Sequence, residues 1–227
     1  MKFGQIVENE EINGFINCFF KYLCEEDQRK FRRDFSNLAP ESDQMLHTLR
    51  ELILGAHLGA NGYKVRHDYT INNQTPDWCI LDDESVVIGI VELTNFHIDK
   101  ATEIKIREQS KLRENFCYWR DGNKDNIDRL YHCIDHKAQK YRLLAKSLKI
   151  PYVVAVFGEW ETAVDFDEIR SCLFGKETGL FEEYREMSGV LHFVEQNALR
   201  YLFNYAENPN PLKPITLPSG VFSPRAA

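Results

Sequence analysis

The sequence has few of the features that would place this protein in a secreted, membrane or structural-zinc class. No apolar run approaches the ~20 residues that a membrane-spanning helix needs, and the polar start Met1-Lys2-Phe3-Gly4-Gln5 is unlike a secretory signal. The six cysteines, at positions 18, 24, 79, 117, 133 and 172, form no C-x-x-C pair. This arrangement indicates reduced core thiols rather than disulfides or a zinc site. We therefore expect a cytoplasmic protein with no membrane partner.

Several common catalytic signatures are missing as well. The chain has no Gly-rich phosphate loop, no G-x-S-x-G nucleophile elbow and no internal repeat. His132 and His136 are four residues apart, but no carboxylate motif completes a zinc-protease signature. The formal charge of −7 argues against a general nucleic-acid binder, because neutralisation of phosphates supplies most of non-specific affinity. Local clusters of charge therefore matter more than the total.

The composition is that of one globular domain with elaborations. The chain has 227 residues, of which 43% are hydrophobic and 12% aromatic, and this is enough for a sizeable core. Apolar residues at helical spacing predict one or two helices over residues 9–35, and the apolar runs 189–194 and 199–205 predict a β-hairpin. We expect an N-terminal helical segment over 1–40, a core over 41–160 with an insertion over 95–126, and a C-terminal elaboration over 161–227.

Two acidic residues, Asp77 and Glu92, flank the most informative stretch of the chain. The apolar, β-branched run Val86–Leu93 predicts a buried strand, and the polar cluster 82–85 before it predicts a tight turn. Asp77 then begins one strand of a hairpin and Glu92 ends its neighbour, so both carboxylates lie at the same end of the sheet. Paired carboxylates would suit a hard divalent cation. Alternatively, Asp77 starts a strand after a proline turn and Glu92 is a solvated strand end.

A third acid, Glu51, lies on a predicted helix upstream of this hairpin. Apolar residues at helical spacing mark the helix, and Asn61-Gly62 ends it. Glu51 lies off the main apolar stripe, but Leu54 and Leu58 share its side, so a neighbouring element could cover it. A covered carboxylate needs a partner, because an unpaired buried charge is costly. An ordinary exposed glutamate is the alternative.

These elements together resemble the PD-(D/E)xK, or restriction-endonuclease-like, nuclease superfamily. The shared features are a glutamate-bearing helix, a Gly-Tyr-x-Val entry into the first strand, Pro76-Asp77 at the next strand and Glu92 in the third. The resemblance covers residues 45–157 and implies an α/β fold with an αβββαβ core, in which helices flank a mixed sheet. It also implies that Mg²⁺ or Mn²⁺ is held by Glu51, Asp77, Glu92 and the main-chain carbonyl of Leu93.

The chain departs from the family pattern at Thr94. The family lysine, two residues after the last acid, would help to position and activate water, and threonine cannot supply its charge. A substitute is Lys137, which lies on the same helical arc as Ile134, Ala138 and Tyr141 and so points toward the sheet. The spacing of Lys137 and Tyr141 is similar to the Gln-x-x-x-Tyr motif of RecB-type family members, with Tyr141 orienting the lysine. The alternative is a lysine whose stem covers the core edge while its amine stays in water.

The helix that carries Lys137 also supplies the candidate nucleic-acid contacts. The stretch from His136 to Lys149, both included, contains five Lys and Arg residues and no acidic one. Lys140, Arg142 and Lys146 fall outside the core-facing arc, so they would point toward solvent or a ligand. With Tyr141, they are the residues predicted to contact a phosphate backbone. An ordinary solvated helix face is the commoner explanation of such a run.

The sequence thus predicts a divalent-metal-dependent nuclease that acts on DNA or, as the second choice, RNA, with Asp77, Glu92, Lys137 and Glu51 as the catalytic residues. A pseudo-nuclease that keeps the fold as a binding or assembly module is the main alternative, and Thr94 favours it. The retention of three acids favours the enzyme. An unrelated small-molecule enzyme is a third interpretation. The sequence leaves open whether the protein is a homo-oligomer.

Overall fold

A six-stranded sheet organises the part of the chain that the computed structural model describes, namely residues 10–37, 43–97, 104, 108, 124–158, 164–175, 179–197, 200–216 and 220–222. The strands lie side by side in chain order. They are β1 (Lys64–His67), β2 (Trp78–Leu81), β3 (Val87–Phe96), β4 (Tyr152–Gly158), β5 (Met187–Asn197) and β6 (Arg200–Glu207). β3, β4 and β5 pair in parallel, whereas the other neighbouring pairs are antiparallel. The sheet is therefore mixed, as the sequence predicts.

Helices flank the sheet on both faces. They are α1 (Glu10–Phe20), α2 (Glu25–Asn37), α3 (Asp43–Ala60), α4 (Lys124–Leu148), α5 (Phe166–Phe174) and α6 (Leu180–Glu183), and a 3₁₀ turn covers Gly220–Phe222. The first three helices share one hydrophobic core with Leu93 and Val153, while α4, α5 and α6 share the other with Ile90 and Val154. The protein is thus of the α/β class. None of the helices in the described ranges is long and apolar enough to cross a membrane.

Strand β3 directs Glu92 toward helix α4. Val91 and Leu93 belong to the core beneath α1–α3, whereas Ile90 belongs to the core beneath α4. Successive side chains of a strand point to opposite faces, so Glu92, which lies between Val91 and Leu93, faces α4. Beyond Glu92 the strand continues to Phe96, because residues 90–96 pair in register with β4. The expectation that Glu92 ends its strand is therefore wrong.

The turn between α3 and β1 follows the sequence signal. Gly62 has φ +90°, a left-handed conformation that glycine adopts at little cost, and the Tyr63 N–H donates to the Leu58 carbonyl 3.2 Å away. Helix α3 therefore ends at Ala60, before the predicted Asn61-Gly62 stop. β1 then starts at Lys64, close to the predicted Gly-Tyr-x-Val entry.

Other predicted elements differ mainly in their bounds. The N-terminal segment forms two helices, and the C-terminal hairpin is confirmed as β5 and β6. The proposed insertion over 95–126 is too long at both ends, because residues 95–96 belong to β3 and α4 begins at Lys124. Within it, residues 98–103, 105–107 and 109–123 lie outside the described residues. The same is true of residues 38–42, between α2 and α3.

Gly55 lets helix α3 pack closely against Trp78. A Cβ atom at position 55 would lie 2.0 Å from Cζ2 of the buried Trp78 ring, so even alanine would displace the indole. We expect Gly55→Ala to lower the free energy of unfolding by about 2–3 kcal/mol, the typical cost of overpacking a core. Gly14→Ala in α1 is the matched control, because a Cβ atom at position 14 would meet no atom of the described residues within 4 Å beyond its own helix and chain neighbours. The control should gain up to about 1 kcal/mol from helix propensity. Equal effects in urea unfolding would contradict this packing.

His192 in β5 should make the stability of the fold fall as the pH is lowered. The side chain is buried, and neither ring nitrogen has a hydrogen-bond partner among the described residues. Burial lowers the pKa of His192 to about 4, although the charge of Asp165 partly opposes the shift. The unfolded chain is therefore protonated first as the pH falls, and stability is lost between about pH 7 and pH 4.

His192→Leu removes the group that is protonated on unfolding. We therefore expect the free energy of unfolding of His192→Leu, minus that of the wild type, to be about 1–3 kcal/mol larger at pH 4.5 than at pH 8. Urea unfolding of both proteins at each pH measures this change. At pH 8 the two proteins differ only in packing, which makes that measurement the control. A difference in stability that does not vary with pH would contradict the neutral, buried state of His192.

Candidate active site

The backbone brings Asp77 and Glu92 together in the first hairpin. Trp78 pairs with Val91 in the antiparallel register of β2 and β3, so the residues just outside this pair, Asp77 and Glu92, lie opposite each other. The Asp77 N–H donates to Glu92 Oε2 at 3.2 Å, and the Leu93 N–H donates to Asp77 Oδ2 at 2.7 Å. The predicted proximity of the two acids is thus observed. The other oxygen of Asp77, Oδ1, accepts no hydrogen bond from the described residues.

Two lysines from α4 meet on one oxygen of Glu92. The Nζ atoms of Lys137 and Lys140 lie 2.7 Å and 2.6 Å from Glu92 Oε1. The Glu92 side chain is completely buried, and burial of an unpaired carboxylate would be costly. Burial alone would lower the pKa of Lys140, but its hydrogen bond to Glu92 and the charge of Glu92 raise the pKa above its usual range. Lys140 is therefore a charged partner of Glu92, and Lys137 contacts the same oxygen.

Helix α4 is tied to the sheet around this cluster by two tyrosines. The Tyr152 hydroxyl donates to the main-chain carbonyl of Lys137, and the Tyr141 hydroxyl donates to the Thr75 carbonyl at 2.7 Å. Thr75 lies two residues before Asp77, so Tyr141 joins α4 to the loop that carries the acid. Thr94, which replaces the family lysine, contacts Cys133 Sγ at 2.9 Å. The sequence assigned Tyr141 to orienting Lys137, but its ring lies against the Lys140 ammonium, 4.8 Å from the ring centroid.

Glu51, on helix α3, contacts two histidines, His47 and His67. Its Oε1 is 3.0 Å from His47 Nε2, and its Oε2 is 3.5 Å from His67 Nε2. Burial would raise the pKa of Glu51, but the hydrogen bond from His47 and the close approach of His67 outweigh burial and lower it to about 2. The geometry of the 3.5 Å His67 contact is too poor for a hydrogen bond, so His67 acts mainly through its proximity. The Trp78 indole N–H also donates to the Glu51 carbonyl at 3.1 Å. Glu51 is thus buried and charged, not an ordinary exposed glutamate.

Asp77 is the acid whose charge is least well compensated. Burial, followed by the neighbouring charges of Glu92 and Glu51, raises its pKa to about 6, although the charge of Lys137 and the hydrogen bond from the Leu93 N–H act in the opposite direction. Three carboxylates therefore share one electrostatic environment. A cation that bound here would relieve the repulsion among them.

The donor set fits a divalent cation with two protein carboxylates rather than three. No group of three or more His, Cys, Asp or Glu side chains in the described ranges is arranged to hold a metal ion. The Glu92 carboxylate contacts the main chain of Asp77, however, and Mg²⁺ is commonly bound through one or two carboxylates together with water and substrate phosphate. Glu51 instead contacts His47 and His67, and Leu93 meets the site through its N–H, which donates to Asp77. The four-ligand set of the family pattern is therefore not assembled in this structure.

The proposed nucleic-acid contacts have different surroundings. Lys146 is exposed and lies 4.0 Å from Glu186 Oε1, while the Arg142 guanidinium lies 5.8 Å from the centre of the Tyr184 ring. Tyr141 is buried. Lys140 does not simply point away from the sheet as the sequence predicted, because its long side chain curls back to Glu92.

Sequence reasoning missed the two histidines and Asn95. His47 is four residues before Glu51 on the same helix, and this spacing could have identified it as a partner. The Asn95 side chain contacts His47 Nδ1 and joins the end of β3 to α3. His67 comes close only through the pairing of β1 with β2, where it lies opposite Trp78. No local sequence signal would have found His67.

Comparisons of this chain with protein-family models, with curated proteins and with solved structures found no match.

Proposed function

We propose that this protein is a divalent-metal-dependent phosphodiesterase of the PD-(D/E)xK type. The observation that carries the proposal is the position of Lys137. Its ammonium reaches from α4 to the buried Glu92, next to Asp77, at the end of the hairpin where the family pattern would have a strand lysine. The order of α3, β1, β2, β3, α4 and β4 also supports the αβββαβ core that the family resemblance implies.

Asp77 and Glu92 would hold the cation, and Glu51 would remain a neighbouring charge fixed by its histidines. A bound Mg²⁺ or Mn²⁺ would supply Lewis-acid stabilisation of the phosphate oxygens and of a nucleophile at neutral pH. Asp77 Oδ1, which accepts no hydrogen bond within the described ranges, and the shared environment of the carboxylates support this role.

The chain's own residues supply the rest of the chemistry. Lys137 Nζ donates to Glu92 Oε1 and has protons left to orient an attacking water or to neutralise charge on the phosphoryl oxygens. The Leu93 N–H fixes the rotamer of Asp77. The hydroxyls of Tyr141 and Tyr152 join α4 to the sheet side of the site, and this keeps the Lys137 ammonium beside the acids. Such preorganisation is the main protein contribution to phosphoryl chemistry.

The substrate we propose is DNA, with RNA as the second choice. Lys146 and Arg142 on the exposed side of α4 provide positive charge within a chain of net charge −7, so binding would be local to this helix. Each phosphate contact releases counterions, so binding should weaken steeply as salt is raised.

The test is cleavage of single- and double-stranded DNA and RNA of one sequence by purified protein, with Mg²⁺ or Mn²⁺ and with excess chelator as the control. Metal-dependent cleavage of at least one substrate is expected. Absence of cleavage in every combination would reject the enzyme.

A pseudo-nuclease is the second candidate, and one observation favours it. Both oxygens of Glu92 are already engaged, Oε1 by two ammonium groups and Oε2 by the Asp77 N–H. A carboxylate with these partners can serve purely as the centre of a buried ion cluster. Nucleic-acid binding that is insensitive to chelator, together with no cleavage, would establish this function instead.

A further inference from the structure

The cluster on Glu92 contains one more ammonium group than the carboxylate needs. Lys137 and Lys140 both contact Oε1, but they differ in exposure, since the Lys137 side chain is 19% exposed and the Lys140 side chain 41%. The inner lysine alone would give Glu92 a charged hydrogen-bonding partner. The outer lysine lies at the solvent boundary, where it can change partners at little cost in desolvation.

Two ammonium groups already contact the same oxygen of Glu92. A divalent cation bound to Asp77 and Glu92 would add positive charge beside them, so the more exposed Lys140 would be repelled from Glu92. A phosphodiester carries one negative charge and brings acceptor oxygens to the cation. It is the anion that would attract the displaced ammonium group.

We infer that Lys140 is a substrate-binding residue that exchanges Glu92 for a non-bridging oxygen of the substrate phosphodiester when the cation binds. This inference rests on the proposed function and assigns a role that Lys137, the deeper lysine, does not fill. Lys140 would act in binding and in ordering the site, whereas Lys137 would act in the chemical step.

The Tyr141 ring borders the Lys140 ammonium while that ammonium contacts Glu92. The Lys140 ammonium lies 4.8 Å from the centroid of the Tyr141 ring, within the range of a cation–π contact. The ring is fixed because its hydroxyl donates to the Thr75 carbonyl. The exchange of Glu92 for a phosphate oxygen would therefore take place beside a fixed aromatic ring that already contacts the ammonium.

The test uses Lys140→Gln, with Lys64→Gln as the control. Lys64 is exposed and bonds to Ser85, at the end of β2 remote from Asp77, so the control removes the same charge away from the site. Lys140→Gln should bind Mn²⁺ roughly tenfold more tightly than the wild type in calorimetry without nucleic acid, because a competing cation has been removed. Its KM for the best-cleaved oligonucleotide should rise about tenfold, with kcat changed less than about threefold. The control should change neither quantity.

Two further measurements separate a binding role from a structural one. The slope of log KM against log salt should fall by about 0.7–0.9 in Lys140→Gln, the value of one lost phosphate contact. Lys140→Arg keeps the charge and should keep both the KM and the Mn²⁺ affinity within about threefold of the wild type. Thermal melting of all variants checks folding, which we expect to survive because Lys137 remains on Glu92.

The outcomes distinguish this inference from the proposed function. If the wild type binds Mn²⁺ and cleaves, but Lys140→Gln has unchanged Mn²⁺ affinity and unchanged KM, Lys140 is only a counter-ion of Glu92 and the inference is wrong. Weaker Mn²⁺ binding by Lys140→Gln would also overturn it. If the wild type neither binds Mn²⁺ nor cleaves, the proposed function fails and the inference fails with it.

Discussion

Asp77→Asn is expected to be inactive and, at the same time, more stable than the wild type. Asparagine is nearly isosteric with aspartate, and its side-chain oxygen can still accept the Leu93 N–H bond. It lacks the negative charge that a divalent cation requires, so we expect metal-dependent cleavage to fall by at least roughly 10³-fold. This is the largest effect on activity that the site predicts.

The gain in stability follows from the pKa of Asp77. Burial and the charges of Glu92 and Glu51 raise that pKa to about 6 from the ordinary value of 3.8. A carboxyl with a raised folded pKa favours the fold below the unfolded pKa and opposes it as the pH rises through the folded one. At pH 8 and without metal, the free energy of unfolding of Asp77→Asn should therefore exceed that of the wild type by about 1–3 kcal/mol. This difference should disappear near pH 4.

These two outcomes together separate a functional acid from a structural one. Cleavage rates and urea unfolding of both proteins, each measured in the presence of chelator and of Mn²⁺, provide the comparison. Mn²⁺ should stabilise the wild type and leave the variant unchanged. Loss of stability in Asp77→Asn at pH 8 would mean that the Asp77 charge supports the fold, and equal cleavage by both proteins would place the activity elsewhere.

Lys137→Gln is expected to lower kcat by roughly 10²- to 10⁴-fold, the range typical of lost proton-transfer assistance. Glutamine can still hydrogen-bond to Glu92 Oε1, but it carries no charge. Lys140 remains 2.6 Å from the same oxygen, so Glu92 is not left unpaired and the fold should persist. Mn²⁺ binding should be retained, because the two acids are unchanged.

The measurement for Lys137→Gln is single-turnover cleavage at saturating Mn²⁺, beside Lys64→Gln as a charge-matched control. The control should cleave at the wild-type rate. A loss confined to KM, with kcat unchanged, would assign Lys137 to substrate binding and remove it from the chemical step.

The main features of the site were predictable from short-range patterns. A turn between two apolar strands fixes which residues lie opposite each other, and for this reason Asp77 and Glu92 meet as expected. Helical periodicity placed Lys137 on the buried arc of α4, and its ammonium lies at Glu92. Both deductions depend on backbone geometry over a few residues, where the sequence constrains the structure strongly.

The features that were missed depend on side-chain length and on distant pairing. Lys140 lies outside the buried arc by angle, yet its four-carbon stem lets the amine reach back to Glu92. The extension of β3 to Phe96 required the parallel partner β4, which is more than fifty residues away in sequence. Glu51 met His67 through the pairing of β1 with β2. No helical or strand periodicity reports contacts of this kind.

Calorimetric titration of Mn²⁺ into the metal-free wild type and into Asp77→Asn, at pH 7.5 and without nucleic acid, tests whether the paired acids form a metal centre. We expect saturable binding to the wild type that is lost in Asp77→Asn and that weakens as the pH is lowered through about 6, where Asp77 becomes protonated. No binding to the wild type, or equal binding to both proteins, would contradict a metal site at Asp77 and Glu92.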